Sequence, residues 1–258
     1  MSIARKIQMA TAGSAVAGFS PASISDLKLW LDATDTSTLY QDSSKTTAVS
    51  SDNDPVGCWE DKSGNGFDHD QGTSINRPTF DTTTMGLNSL NLDNSVDSGK
   101  GQFLENSTCT DTITMFIVLN YGTNSNAGSS FGIGASYNGY FTFAAGSSLN
   151  YVSTSPTGYR TVGDSYTRIA AGNDAIITGD LVNFLRENGT QYAMNNPYNY
   201  SSHSGNVGSY VGRRGLTPNN HTPFNGNIGE IIAYERRLSS TEIDEVETYL
   251  SEKWSITI

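Results

Sequence analysis

The clearest hydrophobic pattern lies near the end of the chain. Residues 228–234 are rich in isoleucine, with Glu230 among them, and predict a strand. Ser239 and Glu242 then have the spacing of a capping box, in which the serine accepts a hydrogen bond from the amide three residues on and the glutamate reaches back. Beyond them, apolar residues recur at three- and four-residue intervals, namely Ile243, Val246, Leu250 and Trp254. The pattern predicts a helix over about 240–254 that covers a sheet.

Alternating and continuously apolar runs predict strands through the rest of the chain. Leu27, Leu29 and Leu31 alternate with other residue types, which predicts a strand over 27–33. Residues 112–121 form the most continuously apolar run, and we interpret them as a central strand that is buried on both faces. Further runs predict strands at 87–93, 131–134, 140–144, 149–152, 175–178, 180–185 and 207–212. Residues 34–54 are polar, and we interpret them as a surface loop.

The spacing of these runs is typical of an all-β protein with two antiparallel sheets in a β-sandwich. Turn signals such as Ser63-Gly-Asn-Gly66 and Asn188-Gly-Thr190 separate the strands, with the Asn-Gly pairs supplying positive φ values. Because no linker-like gap appears after residue 20, we predict one domain over 21–258. Its C-terminal helix would seal an edge or one end of the sandwich.

Composition narrows the classes of function. Charged residues make up 16% of the chain and glycine contributes 26 residues, which is typical of a turn-rich β protein. The net charge is −11 and the 15 basic residues are spread thinly, which argues against a nucleic-acid partner. No apolar run approaches the roughly 18 residues of a membrane span. Cys58 and Cys109 cannot make a disulfide framework, and two buried free thiols are favoured over a single bridge.

Motifs at the two ends of the domain carry a family resemblance. The opening reads L-x-L-W-L-D-A, W-x-D-K-S-G-N-G and R-P-x-F, and the closing segment reads F-x-G-x-I-x-E-I-x-x-Y, R-x-L-S and Y-L-x-x-K-W. Together they resemble the concanavalin A-like (laminin G-like) jelly-roll domains of bacteriophage virion proteins and secreted bacterial modules. The resemblance implies a jelly-roll fold, but it does not imply one particular activity.

Residues 1–20 differ from the rest of the chain because they are rich in small residues, include two cations and have no acid. They resemble the basic, Ala/Gly-rich starts of some phage structural proteins. We interpret them as an extended arm that anchors the chain in another virion protein of the capsid or tail. The predicted anchoring residues are Ile3, Arg5, Lys6, Ile7 and Met9. Two alternatives are packing on the chain's own domain and a secretory signal with Ala15-Val-Ala17 as its cleavage box.

The residues of an active site are harder to find. Jelly-roll glycosidases place two carboxylates two residues apart on one strand, and no predicted strand has such a pair. Glu230 stands alone in its strand, and Asp32 and Asp35 flank a strand end. The histidines, which we place in polar loops far apart, are His69, His203 and His221. Neither cysteine has a convincing histidine partner, so we predict that the protein is not an enzyme.

Two clusters of tyrosine and asparagine are candidates for contact with a glycan or a protein. Aromatic faces with amide partners suit sugars, and the same residue types are common in protein interfaces. The clusters comprise Tyr137, Tyr140, Asn195, Asn196, Tyr198, Asn199 and Tyr200.

The family resemblance also implies a structural calcium ion, bound between loops by carboxylates and carbonyl oxygens, although no cofactor is required. The candidate ligands are Asp52, Asp54, Asp61, Asp68 and Asp70. A competing interpretation is that Asp61 orders its own turn by accepting hydrogen bonds from backbone amides.

These observations favour a non-enzymatic bacteriophage virion structural protein that is made in the host cytoplasm and displays its jelly roll on the particle surface. We place a capsid decoration or head appendage ahead of a tail fibre, and a homotrimer would suit an appendage. Many copies on one particle would bind with avidity. The alternative is a lectin-like receptor-binding module that recognises host surface glycans. A secreted carbohydrate-active enzyme is less favoured because it needs a cleaved signal and a carboxylate pair.

Overall fold

The computed structural model describes residues 18–109, 112–122, 128–133, 141–145, 150–153, 172–180, 185–192, 208–213 and 223–258. Within these ranges the chain forms sixteen strands and one α-helix, α1 (Ser240–Trp254). The strands are β1 (Leu27–Asp32), β2 (Leu39–Tyr40), β3 (Cys58–Trp59), β4 (His69–Asp70), β5 (Thr79–Asp81), β6 (Ser89–Leu92), β7 (Leu104–Asn106), β8 (Thr114–Tyr121), β9 (Gly128–Ile133), β10 (Phe141–Ala145), β11 (Asn150–Ser153), β12 (Asp174–Asp180), β13 (Leu185–Glu187), β14 (Thr190–Tyr192), β15 (Ser209–Val211) and β16 (Gly226–Tyr234).

The strands form two antiparallel sheets that pack face to face. The first sheet has the order β14-β13-β12-β8-β16-β6-β5. On the side of β16 away from β8, β6 pairs with the first part of β16 and β1 pairs with the second part. The second sheet has the order β11-β10-β9-β15-β7-β4-β3-β2. The predicted two-sheet β-sandwich with one C-terminal helix is therefore confirmed.

The main hydrophobic core lies between the two sheets. Strand alternation points Leu29 and Leu31 of β1 and Ile117 of β8 into this space, where they share a core with Trp59 and Val211 of the second sheet. All eight residues of β8 are buried, because the alternate residues of this strand pack under α1 on the other face of the first sheet. The predicted central strand, buried on both faces, is confirmed.

Helix α1 covers the outer face of the first sheet. Its capping box is present, with the Ser239 side chain accepting from the Glu242 amide and the Glu242 side chain accepting from the Ser239 amide. The helix packs through its predicted apolar stripe, whose buried members are Ile243, Val246, Leu250 and Trp254. Each such side chain contributes about 1.5–3 kcal/mol when it leaves water, so packing on the sheet rather than helix propensity stabilises α1.

A bulge in β16 lets the last turn of α1 approach the sheet. The pairing of β16 with β8 shifts register between Ile228 and Glu230, so Gly229 is the extra residue. A Cβ atom at Gly229 would overlap the indole ring of Trp254. Glycine is therefore required at this position by the close approach of the tryptophan.

Several local predictions need correction. Residues 34–54 are not simply a polar surface loop, because they contain β2 and bury Leu39 and Val49 in the main core. The two ends of the predicted strand over 180–185 belong to different strands, since β12 ends at Asp180 and β13 begins at Leu185; residues 181–184 lie outside the described ranges. In the turn after Ser63, the positive φ angles fall on Gly64 and Gly66, not on the asparagine between them.

Other predictions hold. The Asn188-Gly189 turn joins β13 to β14 with positive φ at both residues. Cys58 and Cys109 are both buried thiols that are not joined in a disulfide, as predicted. No helix in the described ranges combines the length and the hydrophobicity that crossing a membrane requires. The predicted anchoring residues lie outside the described part of the chain; they are Ile3, Arg5, Lys6, Ile7 and Met9.

The bulge yields a first prediction. We expect Gly229→Ala to lower the free energy of unfolding by about 2–3 kcal/mol, because the added methyl group must displace Trp254 from its packed position. Gly72→Ala is the matched control, since a Cβ there meets nothing within 4 Å and Gly72 has no positive φ. It should change stability by less than about 0.5 kcal/mol. Equal stability of the two variants in urea titrations would show that the tryptophan does not depend on the glycine.

Candidate functional site

The outer face of the second sheet carries a small polar cavity. Asp70 of β4 lies opposite Glu105 of β7, and Tyr210 of β15 lies opposite Glu105 on its other side. Because cross-strand partners point to the same face of a sheet, these side chains converge. With Asn106 and Ser107 they line a cavity of about 230 Å³, which we call the sheet cavity.

The buried Arg213 contacts two residues that line the sheet cavity, Glu105 and Tyr210. Its guanidinium carbon lies 3.2 Å from the ring centroid of Phe103 and 5.3 Å from that of Tyr210, and its Nη2 lies 3.2 Å from Glu105 Oε2. Burial lowers the pKa of Arg213, while Glu105 partly offsets that effect. Arginine stays charged even so, and the ion pair therefore holds Glu105 in place.

Asp70 is the more available acceptor in the sheet cavity. It is exposed, whereas Glu105 is already engaged by Arg213. Partial burial raises the pKa of Asp70, the nearby Asp68 carboxylate raises it further, and Lys45 opposes both. The Asn106 amide oxygen already accepts from Thr108 and Cys109. The cavity therefore offers carboxylate oxygens and the Ser107 hydroxyl to the hydroxyl groups of a ligand, beside the edge of Tyr210. Its volume lies below the roughly 300–1,000 Å³ of drug-sized ligand sites, so a ligand as small as one sugar residue fits best.

Behind the cavity, Ser209 and His69 form a buried hydrogen-bonded pair. His69 Nε2 lies 2.7 Å from Ser209 Oγ, and His69 Nδ1 lies 2.8 Å from the carbonyl oxygen of Phe67. A carbonyl oxygen only accepts, so Nδ1 carries the proton and Nε2 accepts from the serine hydroxyl. Burial lowers the pKa of His69 to about 4, which keeps the ring neutral. The placement of His69 in a polar loop was therefore wrong, while His203 and His221 lie outside the described residues.

The Ser209–His69 pair has the bonding of a nucleophile and its base, but it lacks access. Both side chains have no exposed surface, because they point into the space between the sheets. A substrate cannot reach the serine without opening the core. The pair therefore satisfies two buried polar side chains rather than forming an open active site.

The opening and closing sequence motifs converge on one buried carboxylate beneath α1. Glu230 has no exposed surface and accepts four hydrogen bonds. Trp30 Nε1 and Tyr249 Oη donate to Oε1 over 2.8 and 3.0 Å. Lys253 Nζ and Trp254 Nε1 donate to Oε2 over 2.8 and 2.9 Å. These residues link the first strand, the last strand and the helix, and we call them the Glu230 cluster.

A second carboxylate, Asp32, lies directly across from Glu230 in the pairing of β1 with β16. Lys253 Nζ lies 2.8 Å from both carboxylates, and Lys62 Nζ lies 2.9 Å from Asp32 and from Asp35. Burial raises the pKa of Asp32, but the contacts with the two lysines outweigh that effect and the net shift is downward. At Glu230, burial dominates and the pKa is raised, with Lys253 opposing the shift and Asp32 adding to it.

Two neighbouring carboxylates are the hallmark of a glycosidase, but Asp32 and Glu230 are not arranged for catalysis. Lys253 fills the space between them, and only 4% of Asp32 and none of Glu230 is exposed. The sequence does not predict that Asp32 and Glu230 lie side by side, because they belong to strands from opposite ends of the chain. An available signal was the acid within an isoleucine-rich strand, since such an acid requires buried donors.

Four of the five carboxylates of the predicted calcium site accept hydrogen bonds from backbone amides. Asp61 accepts hydrogen bonds from the backbone amides of Trp30, Ser63 and Phe67, as the competing interpretation predicted. Others accept from backbone amides in the same way, namely Asp52, Asp54 and Asp68, whereas Asp70 lines the sheet cavity. In the part of the chain that the structure describes, no three or more His, Cys, Asp or Glu side chains are grouped to hold a metal ion. Structural calcium stays a prediction.

The predicted tyrosine and asparagine contact residues lie outside the described ranges; they are Tyr137, Tyr140, Asn195, Asn196, Tyr198, Asn199 and Tyr200. No sequence pattern marks Glu105, Asn106, Ser107 or Tyr210 as members of the sheet cavity, and Asp70 was predicted as a calcium ligand. These residues come together only through the pairing of β4, β7 and β15.

No protein-family model and no curated protein sequence matches this chain. Among solved structures, domain 4 of AbnA, an extracellular GH43 arabinanase from Geobacillus stearothermophilus, in complex with arabinotriose, matches with a TM-score of 0.50. The identity is 14%, over 86% of this chain and 98% of that one. The binding domain of botulinum neurotoxin serotype D/C matches with a TM-score of 0.51 at 11% identity, over 90% of this chain and 53% of that one. The likeness is one of fold.

A sialidase from Trypanosoma rangeli matches with a TM-score of 0.47 at 12% identity. The match covers 89% of this chain but 33% of the sialidase, so this chain spans about a third of that enzyme. The arabinanase domain, by contrast, is matched over nearly its whole length.

The buried histidine yields a prediction for the pH dependence of stability. In the unfolded chain His69 takes up a proton near its usual pKa of about 6.5, while the folded protein resists protonation until about pH 4. The unfolded state therefore binds more protons in this window, and stability falls as the pH falls through it. Between pH 7 and pH 4.5 the parent chain should lose about 2 kcal/mol more than His69→Gln.

Denaturant unfolding at each pH measures this difference. The His69→Gln variant is the reference for the parent chain, because all other titrating groups are the same in both proteins. Any fixed cost of the substitution cancels, since only the change with pH is compared. Parallel stability curves for the two proteins would contradict the assignment of a neutral, buried imidazole.

Proposed function

We propose that this chain is a lectin-like, non-catalytic module that binds a glycan through the sheet cavity. The observation that carries the proposal is the convergence of Asp70, Glu105 and Tyr210 in a cavity on the outer face of the second sheet. The outer face of the first sheet is not available in the same way, because α1 covers it. The shared fold adds support, since the matched arabinanase domain holds arabinotriose and the matched toxin domain is a binding domain.

The chemistry of the cavity suits sugar hydroxyl groups. Asp70 and Ser107 supply oxygen acceptors, and Glu105 is fixed by Arg213, so its position does not have to be ordered on binding. Hydrogen bonds to charged acceptors contribute about 1.5–3 kcal/mol each, which is enough to orient one sugar residue. Such contacts in a shallow site favour selective but weak binding.

Two pairs of side chains that resemble catalytic pairs are inaccessible to a substrate, which supports a binding role rather than catalysis. Asp32 and Glu230 are separated by Lys253 and sealed by α1, and Ser209 and His69 face the core. Another pair of carboxylates, Asp70 and Glu105, lies in the sheet cavity, and Arg213 engages one of the two. We therefore assign this last pair to hydrogen bonding with the ligand.

A glycan array followed by calorimetry tests the proposal. The array should hold neutral oligosaccharides, arabinotriose among them, together with sialylated ones. We expect Asp70→Ala to weaken binding of the best ligand about tenfold or more, because one charged hydrogen-bond acceptor is lost. The matched control is Glu252→Ala, which removes one exposed carboxylate from α1 and should leave the dissociation constant unchanged.

Binding that is equal in the two variants would place the sugar site elsewhere, and an array without any ligand would overturn the proposal. Chromatography of the bound oligosaccharide after prolonged incubation tests the non-catalytic part. Shortened products that disappear in Glu105→Gln would show that the two carboxylates hydrolyse the sugar.

A virion role is a second proposal. Within the predicted arm over 1–20, Phe19 packs against Tyr249, so the support for this proposal is the sequence of residues 1–17. This segment contains Arg5 and Lys6 and no acid, in a chain whose net charge is −11. We propose that it anchors the module to capsid or tail proteins. In a pull-down with purified capsids and tails, the full chain should bind and a chain that begins at Gly18 should not. Equal retention of both chains would contradict the anchor.

A further inference from the structure

A groove runs along the exposed side of α1, on the opposite side of the sandwich from the sheet cavity. Its volume is about 310 Å³, and its lining combines aromatic rings with acids. Phe19 and Tyr249 supply the rings, whose centroids lie 5.8 Å apart. Asp244, Glu245 and Glu252 supply the acids. A ligand for this groove therefore needs both apolar groups and positive charge.

The acids of the groove are only partly balanced by the domain itself. Arg186 Nη1 lies 2.7 Å from Asp244 Oδ1 and also pairs with the buried Glu247. Among the described residues, no lysine or arginine forms an ion pair with Glu245 or Glu252, and both are exposed. Two uncompensated negative charges thus lie beside the aromatic rings.

A segment with the complementary chemistry directly precedes the groove in the chain. Residues 1–17 lead into Gly18 and Phe19, and Phe19 is itself part of the lining. The segment carries Arg5 and Lys6 together with apolar residues, and it has no acid. Roughly a dozen extended residues between Lys6 and Phe19 reach about 40 Å, whereas the 15 residues of α1 span about 22 Å. The segment can therefore reach every part of the groove.

We propose that residues 1–17 bind in cis along this groove, with Arg5 and Lys6 facing Glu245 and Glu252. The apolar residues Ile3 and Ile7 contact the aromatic rings. Because each exposed ion pair strengthens binding by at most about fivefold, the docked state exchanges with an open one. A partner that binds the same segment competes with the groove.

Zero-length coupling with a carbodiimide tests the proposal on the full chain. The carbodiimide activates a carboxylate in contact with the Lys6 amine; the amine attacks to form an amide, and the carbodiimide leaves as a urea that carries the carboxylate oxygen. Peptide mass spectrometry of the monomer fraction should find Lys6 joined to Glu245 or Glu252. The yield should fall about threefold or more at about 0.5 M salt, because the Debye length is then only about 4 Å.

Two double variants make the test specific. Glu245→Gln with Glu252→Gln should abolish the cross-link and reduce the hydrogen-exchange protection of residues 1–17. Glu60→Gln with Glu235→Gln removes two carboxylates away from the groove and should change neither readout. Absence of Lys6 cross-links to α1, or Lys6 cross-links only to other carboxylates, would overturn the proposal. Cross-links confined to a dimer fraction would also overturn it, since the groove would then hold the segment of a second copy.

Discussion

Glu230 is a carboxylate without exposed surface, and the relation of the first strand, the last strand and the helix depends on satisfying it. Trp30 from β1 and three residues of α1 supply its four donors. A buried ion pair adds little net stability over apolar packing, but the loss of one partner costs about 3–5 kcal/mol. The cluster therefore works mainly as a specificity device. A helix shifted by one turn, or β1 paired one residue out of register, would leave the charge without its donors.

This constraint also decides which surface is free. Holding α1 on the first sheet buries one outer face of the sandwich, and the bulge at Gly229 brings Trp254 down onto that face. On the outer face of the second sheet, the exposed Asp70 and the largely buried Tyr210 line the sheet cavity. The same arrangement turns the far side of α1 outward, with its acids and Tyr249 around a groove. The packing of α1 on the first sheet thus determines the position of two surfaces that differ in chemistry, the sheet cavity and the groove along α1.

Local signals predicted the parts of the fold that depend on nearby residues. The capping box and apolar stripe located α1, and the apolar run located β8, because each signal lies within one element. Isolated apolar residues such as Leu39 and Val49 are not part of a periodic hydrophobic pattern, so their burial was not predicted. Period-two alternation tells which face a residue occupies, but it does not tell which strand lies beside it. The pairings of Asp32 with Glu230 and of Asp70 with Glu105 therefore required the sheet order.

The size of the sheet cavity connects glycan binding to multivalency. A volume of about 230 Å³ admits few ligand atoms. Affinity for small ligands is limited to about 1.5 kcal/mol per non-hydrogen atom at best, and it is usually far lower for sites open to water. A single module of this kind would therefore bind one sugar residue weakly. Tight attachment to a glycan-coated surface would need many copies held on one particle, where linked sites raise the avidity by about 10²–10⁴. The lectin-like proposal and the anchoring proposal are for this reason complementary.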